Sequence, residues 1–461
     1  METTTWYVHL DANKFYASCI RAFMPWLNGC PVVVLSNNDG CSICQTKEAQ
    51  RLGIGMGTKL FEAPWPQVLR DNDVAVFSTN FPLFADMSIK FKTVLKRYFA
   101  TLEDYSVDEE FCAESDVPCS VAEEKARAAV ADIGRGLHLP VSCGIARTKT
   151  LAKVATRFAK DYPGYGGVCA IVTDEQRCKA LRLLPVGEVW GIGRRHADRL
   201  KKLGVETAYD FAHGMTPEWV LKHMTVTGLR TYLELQGIPR LDLETVPPPK
   251  QSIMVSRSFG RNVGDLDALT DALTYYVNMN AAKLRRQHSK AARISVFLST
   301  NPFREDLEQD FAWLDVPLPV ATSSSLEIGE YARMALRVVY RPGLWYKKAG
   351  IMTSEIVREN AVQSNLFDCR DRAKEDRLMR AWDFVTGRYG REALHTGRQA
   401  PGQHDWWVRQ EKLSPCWTTR REDFPRCTDC PLPSGDGGQE IVWADSNGYG
   451  SFTTRRRHGA A

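Results

Sequence analysis

The sequence lacks the features that would place a protein in a membrane or outside the cell. No apolar run approaches the roughly 20 residues needed to cross a bilayer. The opening METTTWYVHLDANK is not a signal peptide. The 13 cysteines have no regular spacing, which indicates reduced thiols rather than a disulfide framework. These absences predict a cytoplasmic protein without a membrane partner.

A strong net charge is also missing. The 60 basic and 55 acidic residues leave a formal charge of +5, which permits a nucleic-acid partner without requiring one. The densest basic clusters are KLRRQHSKAAR, residues 283–293, and TTRRRH near the end. Such runs are more often solvated surface than phosphate contacts. The CxxC pair Cys427 and Cys430 has no two further ligands nearby at a suitable spacing, so it does not predict a zinc site.

The 461 residues are enough for several domains, and the residue patterns divide them. Residues 6–12 alternate like a strand, FYASCIRAF follows with helical spacing, and residues 44–53 are typical of a helix. Residues 246–250 (VPPPK) predict a stiff linker, after which strands and helices follow in the ferredoxin-like order β-α-β-β-α-β. Beyond about residue 360 the pattern dissolves, and residues 431–438 (PLPSGDGG) predict a flexible segment.

Three consecutive acids stand in the apolar stretch YSVDEEF, residues 105–111. Crowded carboxylates are costly without cations beside them, so the stretch is either a solvated turn or a metal site. Alone it favours the turn, because acidic turns are common. Asp11, at the end of the first predicted strand, changes this balance. One acid from a strand end and two from a neighbouring hairpin suit the few carboxylates that Mg²⁺ takes in phosphoryl-transfer sites.

Four segments, HLDANKFYAS, LSNNDG, SVDEEF and GIARTKTLAK, resemble in this order the Y-family translesion DNA polymerases. LSNNDG, VWGIGRR, SRSFG, KKAGIM and LSPCWTTR resemble more closely the UmuC-type catalytic subunits of bacterial DNA polymerase V. The resemblance covers about residues 6–424, and the ordered series is more specific than any single motif.

The resemblance implies an α+β multidomain protein with the right-hand polymerase architecture. Its parts are a palm, small fingers, a helix-hairpin-helix thumb, a linker, a ferredoxin-like little finger, and a C-terminal extension with a clamp-binding peptide and a disordered tail. The implied bounds are 1–11 and 79–170 for the palm, 12–78 for the fingers, 171–240 for the thumb, 241–251 for the linker, 252–357 for the little finger and 358–461 for the extension. The implied activity is error-prone, template-directed DNA synthesis past damaged bases in DNA repair and SOS mutagenesis, without a proofreading exonuclease.

The resemblance implies two Mg²⁺ ions as cofactors, held by Asp11, Asp108 and Glu109 and by the main-chain carbonyl of Ala12. Glu110 departs from the family, which usually has a small residue there. Strict strand alternation would pair Asp108 with Glu110 on one face, whereas the resemblance favours Glu109. Both the turn and the metal hypothesis then hold for this stretch.

Nucleotide contacts are also implied by the resemblance. Lys153 matches the family's triphosphate lysine, and Gln50 stands where the family has Arg or Lys. Lys47 and Arg51, close to Gln50, are candidates to supply the missing charge. Tyr16 matches the aromatic steric gate under the sugar of the incoming nucleotide. Phe15 beside it is included in this nucleotide-binding stretch, although its simpler role is core packing.

Contacts with DNA and with other proteins follow from the same resemblance. Gly191 and Gly193 match the hairpin that offers backbone N–H groups to a DNA phosphate. The basic residues expected to hold the template backbone are Arg257, Lys283, Arg285 and Arg286. Gln363, Leu366 and Phe367 of QSNLF match a peptide that grips the sliding clamp, with Ser364 in place of the usual leucine. The implied partners are primer-template DNA, dNTPs, the sliding clamp, a UmuD-type dimer and a RecA filament.

Two alternatives compete with the polymerase interpretation. A non-catalytic, DNA- and recombinase-binding regulatory subunit would need none of Asp11, Asp108 and Glu109, and all three are present. A palm-fold nucleotidyl cyclase also pairs an early Asp with a hairpin acid motif. The thumb glycines, the ferredoxin-like order and QSNLF argue against the cyclase.

Overall fold

The computed structural model describes residues 5–390, 393–396, 404, 406–424, 439–444 and 451–456. Met1–Ser414 form one compact unit and Pro415–Ala461 a second. Among the described residues, no helix combines the length and apolarity that a membrane span requires.

The first elements of the chain build a strand-helix unit and a small three-stranded sheet. They are β1 (Thr5–Ala12), α1 (Phe15–Phe23), β2 (Val32–Leu35), β3 (Ser42–Gln45), α2 (Lys47–Arg51), α3 (Trp65–Asp71) and β4 (Ala75–Phe77). The small sheet has the order β3-β2-β4, and the VVVL run of β2 at its centre is wholly buried. The helix expected over residues 44–53 is shorter, because β3 runs to Gln45 and the Thr46 side chain caps α2 by accepting from the N–H of Ala49.

A five-stranded sheet forms the centre of the N-terminal half. Its further elements are α4 (Phe81–Leu95), β5 (Leu102–Glu103), β6 (Glu109–Ser115), α5 (Cys119–Leu137), β7 (Val141–Ala146), α6 (Lys149–Asp161) and β8 (Val168–Ala170). The order is β5-β6-β1-β7-β8, with β1 antiparallel to both β6 and β7. Helix α6 lies directly on β7 at Gly144, where a Cβ atom would stand 2.1 Å from the Ala152 carbonyl oxygen. Only glycine permits this approach of helix to strand.

Four helices follow, as expected for residues 171–240. They are α7 (Asp174–Leu183), α8 (Arg194–Lys201), α9 (Ala208–Gly214) and α10 (Pro217–Leu235), the last interrupted at Thr225. Their apolar faces share one core with α6. Residues 241–251 after them are mostly exposed and contain no helix or strand.

The ferredoxin-like order of elements is confirmed in the next domain. It contains β9 (Ile253–Val263), α11 (Leu266–Arg286), β10 (Ser289–Thr300), β11 (Phe311–Thr322), α12 (Ser325–Val339) and β12 (Tyr346–Arg358). The four strands form an antiparallel sheet in the order β11-β10-β12-β9. Helices α11 and α12 pack against each other and against this sheet around one buried core.

The C-terminal region differs from the sequence prediction. Residues beyond 360 do contain regular structure, namely α13 (Arg372–Tyr389), β13 (Gln439–Ala444) and β14 (Ser451–Arg456). Helix α13 has a weak amphipathic pattern, because eight of its 18 residues are charged and it buries only Met379. The strands β13 and β14 pair as a hairpin where a disordered tail was expected. Cys427, Cys430 and residues 431–438 lie outside the described residues.

Candidate active site

Two acids face each other across the central strand pair of the five-stranded sheet. Asp11 near the end of β1 is the direct cross-strand partner of Glu109 at the start of β6. The N–H of Ala12 donates to the Asp108 carbonyl at 2.9 Å, which ties the end of β1 to the turn before β6. Asp11, Glu109 and the main chain of Asp108 therefore lie at the same end of the sheet.

A serine-centred turn explains which of the three hairpin acids faces Asp11. The Ser106 hydroxyl accepts from the N–H groups of Asp108 at 3.2 Å and Glu109 at 3.0 Å, and it donates to the Asp108 carboxylate at 2.8 Å. Asp108 belongs to this turn, so strand alternation begins only at Glu109. Glu110 lies on the opposite face, where its side chain is 1% exposed and pairs with Lys92 at 3.1 Å. The structure thus places Glu109, and not Glu110, beside Asp11.

Lysines from α6 neutralise the two facing carboxylates. The Lys160 Nζ atom lies 2.5 Å from Asp11 Oδ2, and Lys153 Nζ lies 2.9 Å from Glu109 Oε2. Burial raises the pKa of the Asp11 carboxyl to about 6; Lys160 opposes this rise and Glu109 adds to it. Burial and the nearby lysines hold the pKa of His9, which contacts Glu109 at 3.9 Å, well below its usual value. His9 is therefore neutral near pH 7.

The donor set fits divalent ions only in part. Among the residues described, no three His, Cys, Asp or Glu side chains are already gathered as ligands. Asp11 and Glu109 nevertheless lie within interaction range, and each is paired with an ammonium group in a largely buried site. Carboxylate pairs of this kind are what Mg²⁺ accepts, with water and substrate phosphates completing its shell. The Asp108 carboxylate accepts from the Ser106 hydroxyl. Burial raises the pKa of Tyr16 on α1, and the charge of Asp108 adds to this rise.

The basic face of α6 contains a site residue that sequence reasoning missed. The sequence reading selects Lys153 but omits Lys160, the partner of Asp11. Lys149, Lys153 and Lys160 follow the helical period and share one face, so this spacing is the signal that could have revealed Lys160. Lys149 is 4% exposed and pairs with Glu103 at 2.6 Å, which makes it a buried structural lysine.

An aromatic cluster connects the acids with the glycine turn before α8. The Trp190 indole N–H donates to the Tyr105 hydroxyl at 3.0 Å, and both rings lie within 6 Å of Phe111. Gly191 follows at φ +89, and a Cβ there would be 2.7 Å from the Thr231 hydroxyl oxygen. Both the conformation and the close contact require glycine. Gly193 caps α8 and faces open space.

The nucleotide-contact candidates lie on α1 and α2. Tyr16 is partly exposed and its ring centroid lies 4.6 Å from that of Phe84, whereas Phe15 is buried. This separation agrees with a packing role for Phe15. Lys47, Gln50 and Arg51 are exposed on α2.

One of the four basic residues predicted to contact DNA is already used within the protein. Arg285 forms two hydrogen bonds of 2.7 Å to Asp383 of α13, and its side chain is only 10% exposed. This arginine anchors the C-terminal helix, and the prediction that it holds phosphate does not fit its surroundings. Arg257, Lys283 and Arg286 are exposed.

The predicted clamp peptide is an exposed loop between two anchored segments. Gln363 is exposed, and Leu366 and Phe367 are 93% and 84% exposed, which is unusual for large apolar side chains. Directly after them, Arg372 pairs with Glu327 of α12 and with Asp368. The loop is therefore presented outward from a fixed base.

Comparison with known proteins identifies related chains over nearly the whole length. The impB/mucB/samB family matches residues 10–157, its C-terminal domain matches residues 250–366, and a domain of unknown function (DUF4113) matches residues 376–427. Protein UmuC of Salmonella typhimurium strain LT2 is 39% identical over 420 residues, which cover 90% of this chain and 98% of that protein. Protein ImpB of Salmonella typhimurium is 37% identical over 90% of this chain and 98% of its own length.

More distant relatives agree in fold. DNA polymerase IV of Bacillus velezensis is 26% identical over 84% of this chain and 92% of its own length. A solved Y-family DNA polymerase chimera of Dbh and Dpo4 superposes with a TM-score of 0.62 at 20% identity, covering 77% of this chain and 99% of the chimera. The right-hand polymerase fold expected from the sequence is thereby confirmed. Given its 39% identity to nearly all of Protein UmuC, the chain belongs to the impB/mucB/samB family, the UmuC-type branch of the Y-family DNA polymerases.

Proposed function

We propose that this translesion DNA polymerase extends primers past damaged template bases with Asp11, Asp108 and Glu109 as its metal-holding residues. The observation that supports this assignment best is the cross-strand pair of Asp11 and Glu109, each neutralised by a lysine of α6. Two carboxylates brought together in a buried site need cations beside them, which supports a metal site at this position.

The proposed cofactor is a pair of Mg²⁺ ions, within the divalent-metal chemistry of the family. When bound, the ions would supply a Lewis acid that activates the primer 3′-hydroxyl and neutralises the triphosphate. Asp11, Glu109 and the turn residue Asp108 would hold them, with the carbonyl of Ala12 as a further ligand. Lys160 and Lys153 would then turn from carboxylates to substrate phosphates, because both ammonium groups already lie at this end of the sheet.

The proposal assigns each domain of the structure to one part of a right-hand polymerase. The five-stranded sheet with α4 to α6 would be the palm, the three-stranded sheet the fingers, α7 to α10 the thumb and the four-stranded domain the little finger. Tyr16 would form the steric gate, since its ring stands partly exposed beside Asp108 and is backed by Phe84. A rigid ring rejects a ribose hydroxyl by overlap, whereas a polar pocket would accommodate it.

The proposed DNA contacts are sequence-independent. Gly193 leaves the N-terminus of α8 open, so its backbone N–H groups can approach a phosphate. Arg257, Lys283 and Arg286 are exposed cations that would add phosphate contacts, and binding should therefore weaken steeply with salt.

The proposed protein partners are the sliding clamp, a UmuD-type dimer and a RecA filament. Support for the clamp comes from Leu366 and Phe367, whose exposed apolar side chains suit insertion into a pocket. The UmuD-type dimer and the RecA filament are proposed from the family resemblance alone.

Primer extension opposite an abasic template, with Mg²⁺ supplied, tests the proposed function. The parent chain should extend the primer, and Asp11→Asn, Asp108→Asn and Glu109→Gln should each abolish extension while DNA binding persists. A regulatory subunit would bind DNA and extend nothing, and a cyclase would consume nucleotide without a primer. Full extension by Asp11→Asn would contradict the assignment of the site.

A further inference from the structure

A segment near the C-terminus lies against both the proposed fingers and the proposed little finger. It comprises residues 404 and 406–414 of the described chain and is called the strap below. The strap falls inside the matched domain of unknown function, residues 376–427. None of the roles proposed above uses it.

One end of the strap is embedded in the little finger. Trp406 is 4% exposed and forms part of the core of this domain. Its indole N–H donates to Asp271 of α11 at 3.1 Å, and His404 lies 3.3 Å from the same carboxylate. The N–H of Gly260 on β9 donates to the carbonyl of the next strap residue, Trp407, at 3.0 Å. The strap is therefore anchored both in the core and along a sheet edge.

The other end of the strap extends the small sheet of the fingers. Ser78, just after β4, exchanges two hydrogen bonds with Lys412: its N–H donates to the Lys412 carbonyl at 2.8 Å, and its hydroxyl accepts from the Lys412 N–H at 2.9 Å. Gln410 donates to the Thr79 carbonyl at 2.6 Å. Asn80 is buried and donates to the carbonyl and hydroxyl of Ser414 at 2.9 and 3.0 Å.

The LSNNDG motif joins strap, fingers and little finger at one point. The Asn38 amide donates to the Ser258 carbonyl of β9 at 2.9 Å and accepts from the N–H of Arg409 at 2.9 Å. Asp39 accepts from the N–H of Glu411 at 2.9 Å. Asn38 and Asp39 both have left-handed backbone conformations, at φ 60 and φ 51, a turn geometry that Asn and Asp tolerate better than most residues. The motifs LSNNDG and SRSFG thus meet the strap at this point, and LSPCWTTR contributes Ser414 to the contacts at the other end of the strap.

The covalent connection to the little finger is separate from this junction. Residues 241–251 are mostly exposed and include neither helix nor strand. Single hydrogen bonds hold them, such as those from the N–H of Glu244 to Glu103 and from the N–H of Lys250 to Gln287, and the strap adds contacts to both domains. We propose that the strap positions the little finger against the fingers and thereby sets the path of the template between them. Asn38 and Gly260 are positioning residues in this scheme, which rests on the proposed polymerase function for its consequence in synthesis.

Gly260→Ala tests the proposal without deleting a hydrogen-bonding group. A Cβ atom at Gly260 would lie 2.4 Å from the Trp407 carbonyl oxygen, so alanine must push the strap away. Gly134→Ala is the matched control, because a Cβ there has no atom within 4 Å. Asn38→Gly is a second variant, since glycine accepts the left-handed turn while both amide contacts are lost. All are made in the full chain, with circular dichroism to verify folding.

Two measurements distinguish a role of the strap in positioning the little finger from a purely structural role. Hydrogen exchange, which needs no activity, should show the amides of Arg409, Glu411 and Lys412 exchanging roughly tenfold faster in Gly260→Ala and Asn38→Gly than in the parent. Steady-state extension should show a raised KM for primer-template and shorter products per binding event. The rate of single-nucleotide insertion from a preformed complex should stay within about twofold of the parent, because the metal-holding residues are untouched.

Three other results would contradict the seating of the strap, its positioning role or the proposed function. Unchanged exchange in both variants would show that the strap is not seated on this junction. Faster exchange with unchanged KM and product length would reduce the strap to a structural element and end its positioning role. Absence of synthesis in the parent chain would overturn the proposed function instead, and the exchange comparison would still decide whether the strap joins the two domains.

Discussion

The neighbouring acids Glu109 and Glu110 allow a sharp test of the site, because isosteric changes at adjacent positions should have opposite consequences. Glu109→Gln removes a carboxylate opposite Asp11, so primer extension should be lost. Glu110→Gln changes a buried residue on the other face of the sheet, paired with Lys92, so extension should persist. Each variant is the control of the other in size, strand and sequence position.

Glu110→Gln should instead alter how stability depends on pH. Burial raises the pKa of Glu110 from 4.5 to about 7, with Lys92 opposing the rise. The folded protein therefore holds this proton where the unfolded chain has lost it, and stability falls as pH rises from about 4.5 to 7 and is level above. At about 1.4 kcal/mol per pKa unit, the carboxyl costs the parent roughly 2.5 kcal/mol more at pH 8 than at pH 5.

The assay is a comparison of melting temperatures for parent and Glu110→Gln at pH 5 and pH 8. Glutamine does not titrate, so the melting temperature of the variant relative to that of the parent should be a few degrees higher at pH 8 than at pH 5. A constant difference between the two proteins would refute the raised pKa. Loss of extension in Glu110→Gln together with activity in Glu109→Gln would refute the assignment of the metal-holding face.

Three further outcomes are expected. Tyr16→Ala should admit ribonucleotides far more readily while Tyr16→Phe changes little, as measured by competition between dGTP and GTP on one primer; unchanged selectivity in an active alanine variant would leave the residue a packing role. The double change Leu366→Ala and Phe367→Ala should remove stimulation by the sliding clamp and spare basal extension, and equal stimulation would dismiss the peptide. Arg286→Ala should weaken DNA binding and lower its salt dependence by about one phosphate contact. Arg285→Ala should instead lower the melting temperature, because Asp383 loses its partner. The reverse pattern would identify Arg285 as a DNA contact.

The elements that the sequence predicts well are those whose signal is local. The strand ending at Asp11, the helix Phe15–Phe23 and the ferredoxin-like order all follow from short periodicities and caps. Strand alternation alone does not identify which of Glu109 and Glu110 faces Asp11, because the alternation is interrupted where Ser106 forms its turn. Here the family resemblance agreed with the structure and the simple period did not.

The features that escaped prediction depend on contacts between distant parts of the chain. The sequence around Arg285 does not indicate its partner Asp383, which lies almost one hundred residues away. The basic cluster therefore predicts a DNA contact instead of this ion pair. Helix α13 combines apolar residues with many charged ones and buries only Met379, so its pattern is weak. Trp406 lies in a segment without regular structure, and its burial in the little-finger core is a tertiary contact. Helical spacing places Lys160 on the same face as Lys153 and could have indicated it. Its pairing with Asp11 could not be predicted, because Asp11 lies about 150 residues earlier. Periodicity locates elements, and only tertiary packing assigns their ion pairs.

On the proposed assignment, the lysines of α6 would be exchanged for metal ions at the acid site. Without a divalent ion, Lys160 and Lys153 already balance Asp11 and Glu109, so the sheet can fold without carrying unpaired buried charge. On the proposed assignment, entry of metal replaces ammonium groups instead of adding to them, and it frees two cations where a triphosphate would arrive. The same two lysines would therefore balance the acids during folding and contact the triphosphate during catalysis. A chelator then stops synthesis and leaves the domain folded.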